Sequence, residues 1–183
     1  TSKALQLGQD VSGQVVGLRF AGVKIPKGAK IIKAYVQFTA AGATSTAASL
    51  TIKAEARSNS AVFTTAAKNL SSRLKTAKSV VWKPAAWLKT GDRGVVQRTP
   101  SLAPLIQVIV NQTAWKPGNA LALIITGTGQ RVARAYDGNP VLAPMLHIEY
   151  ILPSTSAAPL TADAPQSGWL DFLNSIFPFL PEN

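Results

Sequence analysis

The feature that most constrains this chain is a repeated alternation of apolar and polar residues with a period of two, broken at short intervals by turns. Ile32, Ala34, Val36 and Phe38 alternate with Lys33, Tyr35, Gln37 and Thr39. Leu50, Ile52, Ala54 and Ala56 alternate in the same way with Thr51, Lys53, Glu55 and Arg57. Successive side chains of an extended strand point to opposite faces, so each run has one face for a core and one for water. Strand composition recurs at residues 3–7, 15–20, 31–40, 49–57, 79–82, 120–126, 131–136 and 145–152. The breaks carry turn chemistry: Ile25-Pro26-Lys27-Gly28, Lys116-Pro117-Gly118-Asn119 and Asp137-Gly138-Asn139-Pro140. Short strands at this spacing predict an all-β domain over 1–152, an antiparallel β-sandwich of jelly-roll type. One segment departs from the period. Ser101, then Leu102, Leu105, Ile106 and Ile109, has the spacing of a short amphipathic α-helix with Ser101 as N-cap. Its apolar stripe is expected to close one end of the sandwich or to cover a sheet edge.

What the 183 residues leave out limits the chemistry. There is no cysteine, and one histidine, His147, accompanies eight acidic residues. A thiolate nucleophile, a thiolate metal site and a disulfide scaffold are excluded together. A serine triad would have to use His147, so no enzyme is expected. The formal charge of +11 comes from scarce acids more than from abundant bases. It predicts an anionic partner: an acidic polysaccharide, or extracellular DNA held non-specifically. No recognition helix or aromatic platform accompanies the charge, and the lysines are spread over strands and turns. No run approaches the about 18 apolar residues of a membrane span. The opening Thr1-Ser2-Lys3, without an initiator methionine, leads us to expect a processed, secreted protein found outside the cell or on its surface.

A resemblance supports the same fold. Val16-Gly17-Leu18-Arg19-Phe20, Val23-Lys24-Ile25-Pro26-Lys27-Gly28-Ala29 and Ala34-Tyr35-Val36-Gln37-Phe38 resemble a β-sandwich module recurrent in secreted bacterial multidomain proteins. The likeness continues through Ser71-Ser72-Arg73, Val81-Trp82-Lys83-Pro84-Ala85-Ala86-Trp87, Gln97-Arg98-Thr99-Pro100 and Ile109-Val110-Asn111. It ends with Trp115, Gly118-Asn119-Ala120-Leu121 and Ala143-Pro144-Met145-Leu146-His147-Ile148-Glu149-Tyr150. The wider group is similar to carbohydrate-binding modules, so the resemblance implies a non-catalytic sandwich. This chain departs from the pattern in being far more basic.

Two places suit a glycan. If the strands at 31–40 and 49–57 are neighbours, Tyr35, Lys53 and Arg57 share a polar face with a ring for stacking and long donors beside it. The same alternation also describes an ordinary solvated sheet face. Trp82 and Trp87 flank Lys83-Pro84-Ala85-Ala86. Trp82 reads as core, whereas Trp87 is open to two readings, a ring offered to a glycan or a plug in the core. Trp115 reads as a packing anchor. No cofactor is expected. Calcium needs about six to eight oxygen ligands, and Asp10, Asp92 and Asp137 stand in separate turns, which leaves only a site built mostly from carbonyls.

After residue 152 the composition changes. Residues 153–166 are rich in Pro, Ser and Ala and read as a linker. Residues 167–183 form an apolar C-terminal segment. Trp169, Phe172, Leu173, Ile176 and Phe177 fall at the spacing of one helix face, Pro178 ends it, and Phe179 and Leu180 continue the apolar character. Such a stripe is costly in water. It can fold back on its own sandwich, lie on a membrane, or dock on a neighbouring copy. Its charges, Asp171 and Glu182, have the wrong sign for an anionic lipid surface. The expectation that follows is a secreted structural subunit that assembles with copies of itself into a filament or matrix through this segment. The alternative is a carbohydrate-binding module for acidic polysaccharide.

Overall fold

All eight alternating runs form strands in the computed structural model, which describes residues 2–8 and 14–152. They are β1 (Ala4–Leu7), β2 (Val16–Phe20), β3 (Lys30–Gln37), β4 (Ser49–Ala54), β5 (Val80–Trp82), β6 (Leu121–Thr128), β7 (Arg131–Arg134) and β8 (Met145–Ile151). Among the described residues there is one α-helix, α1 (Ala103–Val110), and short 3-10 turns lie at Val95–Gln97 and Pro140–Leu142. The chain divides into two units, Thr1–Pro153 and Ser154–Asn183, and every described residue belongs to the first. Asp10, the linker at 153–166 and the apolar segment at 167–183 lie outside the described residues.

Every strand pair is antiparallel, in the orders β1-β7, β2-β6-β4-β5 and β3-β8. The run just past β3 also carries β7: the Arg134 N–H donates to Thr39 O at 2.9 Å and the Ala41 N–H to Val132 O at 2.8 Å. Backbone groups of alternate residues face the same strand edge. Thr39 and Ala41 therefore share an edge with Tyr35 and Gln37, which pair with β8, and β7 and β8 follow one another along it. The opposite edge of β3 is covered rather than free. Gln97 O accepts from the Phe38 N–H (2.9 Å), the Thr99 N–H donates to Val36 O (3.1 Å), and the Leu102 N–H donates to Ala34 O (2.7 Å). Gln107 of α1 completes the cover, accepting from the Ile31 N–H at 2.9 Å and donating to Ala29 O at 3.0 Å. The helix and its approach thus cap a sheet edge that would otherwise invite pairing.

Two local expectations are corrected. The helix begins with Leu102 at the N-cap, without a side-chain cap, and Ser101 Oγ only accepts from the Ala103 N–H at 3.4 Å. Leu102 is fully buried and tied to Ala34, so packing fixes the start where a cap would otherwise do so. In β3 a bulge between Ile31 and Lys33 sets two residues against one on β8. The alternation slips by one residue there, so Ile31 is buried and Ile32 is 49% exposed.

One apolar cluster draws on β1 to β7 and α1, and Leu146 and Ile148 of β8 pack against it. Phe38, Trp82 and Trp87 form its aromatic centre, with ring centroids 5.6–6.3 Å apart. Trp115, just after the helix, is buried and donates its indole N–H to Ile25 O at 2.9 Å, the packing anchor expected there. The loop from residue 58 to 75 approaches β2 so closely that a Cβ on Gly17 would meet Leu70 at 2.6 Å and Phe63 at 2.7 Å. Arg73 organises that loop, with a 2.8 Å ion pair to the buried Glu55 and bonds to Ala61 O and Val62 O. A second buried guanidinium, on Arg131, donates to Ala85 O (3.0 Å), Thr46 O (2.7 Å), Gln130 O (2.6 Å) and Pro84 O (2.9 Å). Desolvation by burial lowers its pKa.

Candidate functional site

The expected sugar-binding face is not assembled as the alternation suggested. β3 pairs with β8, whereas β4 lies between β5 and β6. Tyr35 is therefore on one sheet, and Lys53 with Arg57 belongs to another part of the molecule. Alternation identifies the polar face of a strand, but the neighbouring strand is chosen by contacts distant in sequence. Within the polar sets, Gln37 and Thr39 are buried, and so is Glu55. Arg57 remains exposed, with its guanidinium 3.7 Å from Glu55.

Tyr35 instead gains partners that the sequence reading did not assign to it. Its ring stacks on His147, its cross-strand partner, with centroids 4.7 Å apart and planes at 19°. The Arg98 guanidinium also lies over the Tyr35 ring, 4.2 Å from its centroid. Arg98 is oriented by Gln37, whose Oε1 accepts from Arg98 Nε at 3.1 Å. On the same β3–β8 pair, Glu149 Oε1 lies 2.7 Å from His147 Nε2 and 3.0 Å from Lys33 Nζ. The hydrogen bond from His147, and then that from Lys33, hold the Glu149 carboxyl below its ordinary range. The arrangement supplies an aromatic plane, two cations and a carboxylate on one accessible patch. The only signal for His147 and Glu149 was their alternation with Leu146 and Ile148.

Trp87 is fully buried, so its ring cannot stack on an external ligand in this conformation. The cause is visible nearby: Arg131 draws the Pro84 and Ala85 carbonyls inward and presses the loop onto the core. Trp82, at 5% exposure, is core, as expected of a tryptophan in a small β domain.

A second feature is larger. A groove of about 1240 Å³ lies between β2 and β8. Leu18 and Phe20 line one side, Leu146, Ile148 and Tyr150 the other, and Val141, 80% exposed, stands at its margin. Among the described residues no strand pairs with the second edge of β2 or of β8. Arg19, Lys24 and Arg93 also line it, with Asp137 as the acidic member. Arg19 Nε donates to Ser60 O at 2.9 Å, and Arg93 approaches Met145 Sδ at 3.9 Å. None of the three cations makes an ion pair among the described residues.

Among the described residues no three His, Asp or Glu side chains come together as a metal site, and no helix is long and apolar enough to cross a membrane. The tail residues Trp169, Phe172, Leu173, Ile176, Phe177, Phe179 and Leu180 lie outside the described residues. No family model matches the chain, and no curated protein or solved structure matches it.

Proposed function

We propose that this chain is a secreted, non-catalytic structural subunit, a β-sandwich of jelly-roll type that assembles with its own copies into an extracellular filament or matrix through its C-terminal segment. The observation that carries this reading is a mismatch. The described residues leave an open apolar groove at two unpaired sheet edges, while residues 167–183 carry an apolar stripe that needs cover. Burying the five side chains of that stripe is worth on the order of 7–15 kcal/mol before the ordering costs of linker and tail. A gain of that size supports a durable contact between subunits. Head-to-tail contacts of this type extend into fibres unless rotation closes a ring.

The test is electron microscopy of the full chain beside sedimentation of a chain lacking 153–183. The expected result is filaments from the first and a folded monomer from the second. Assembly without the tail would defeat the reading, and unfolding of the shortened chain would make the tail a cap on its own domain. A second reading, binding of an acidic polysaccharide, is favoured by the stack of Arg98, Tyr35 and His147 with Lys33 beside it. On this reading the patch on β3 and β8 replaces both the face expected to join Tyr35 to Lys53 and Arg57 and the separate loop expected to offer Trp87.

A further inference from the structure

We infer that the groove between β2 and β8 is the receptor for residues 167–180 of a second copy of this chain. This rests on the assembly reading above and adds to it the place where the tail docks. Three observations converge on that occupant.

The first is shape and polarity. The walls are apolar along both strands, with Leu18 and Phe20 facing Leu146, Ile148 and Tyr150 across the opening. The stripe of Trp169, Phe172, Leu173, Ile176 and Phe177 has matching chemistry, and helix-in-groove recognition uses anchors at this spacing. The second is charge. Residues 153–183 contain Asp163, Asp171 and Glu182 and no Lys or Arg. The formal +11 of the chain less the tail's −3 leaves +14 on residues 1–152. The groove displays Arg19, Lys24 and Arg93 against the single carboxylate of Asp137, so an apolar segment whose one charge is Asp171 complements it where a basic one would be repelled. The third is length. A return onto the chain's own β8 needs a connection of about 2–5 residues. The linker of 153–166 contains Pro153, Pro159 and Pro165 and spans roughly 46 Å when extended. That exceeds the roughly 23 Å length of a seven-residue strand such as β8. The linker is long enough to carry the stripe past its own groove to the next one.

The natural absence of cysteine allows an unambiguous test. Full-length Val141→Cys and full-length Ser175→Cys, carrying different mass labels, are mixed and oxidised. Position 141 is on the groove and exposed, and position 175 lies off the tail's apolar stripe. The expected product is a disulfide between the two labelled chains, at least tenfold above that from Leu74→Cys, which is exposed but outside the groove. If Val141→Cys and Leu74→Cys react equally while assembly still requires the tail, the groove is not the receptor, although the assembly reading stands. If the chain lacking 153–183 assembles as the whole chain does, the assembly reading itself fails. The double variant Val141→Cys/Ser175→Cys closes the remaining route: closure within one chain at high dilution, with no mixed product, places the tail in its own groove and overturns the inference.

Discussion

Tyr35 lies on the polar face that alternation assigns it, but beside Arg98 and His147 rather than Lys53 and Arg57. Its outward position on β3 was legible from alternation, and so was its suitability for stacking. Its partners were not, because Arg98 arrives from a loop and His147 from a strand more than a hundred residues away in sequence. Removing the ring should weaken, without abolishing, the affinity of the patch for acidic polysaccharide. Tyr35→Ala is expected to weaken binding by on the order of tenfold, the size of a cation–π or stacking contact partly shielded from water. Lys53→Ala and Arg57→Ala should leave it unchanged, since neither residue belongs to the β3–β8 pair. Affinity electrophoresis in gels containing an anionic polysaccharide measures all three. Equal retardation of Tyr35→Ala and the parent chain would remove this patch as a glycan site. Trp87 was ambiguous for a different reason: aromatic composition cannot show whether a loop rises from the surface or is pulled down by a buried arginine.

Elements were more legible than their arrangement. Strand composition, with period-two patterning at 32–39 and 50–57, and turn residues located all eight strands to within a few residues, because these are local properties. Bulges and pairings are different. The slip between Ile31 and Lys33 leaves no mark in an apolar pair such as Ile31-Ile32, where either residue can turn inward. The Ile31 N–H donates to Gln107, far along the chain, a partner that no local pattern reveals. Truncation separates the two residues. Ile31→Ala should cost about 2–5 kcal/mol, as for other buried large-to-small changes, whereas Ile32→Ala should fall near ±0.5 kcal/mol, as for an ordinary surface change. Urea unfolding of both variants checks the register, and equal losses would mean that the bulge is misplaced. The same reasoning explains the helix start, where burial of Leu102 overrode the better capping chemistry of Ser101.

At the scale of the whole molecule, charge is divided unevenly: a basic domain carries an acidic tail. In the proposed assembly, contacts between tail and groove would draw on that division, while the domain's surplus would make assembled copies repel sideways. Polyanions should relieve this repulsion and bundle the assemblies. Added DNA is expected to raise light scattering several-fold at low salt and to lose its effect as salt rises, because counterion release then drives binding less strongly. Scattering indifferent to DNA at every salt concentration would leave no reason to invoke an anionic partner. One feature of the interior has no such sensitivity. Arg131 gathers carbonyls from Thr46, Pro84, Ala85 and Gln130, and a carbonyl neither gains nor loses a proton in ordinary solution. A guanidinium stays charged as well. The clasp that seats Trp87 is therefore blind to acidity, and acid unfolding of this domain has to begin at some other seam.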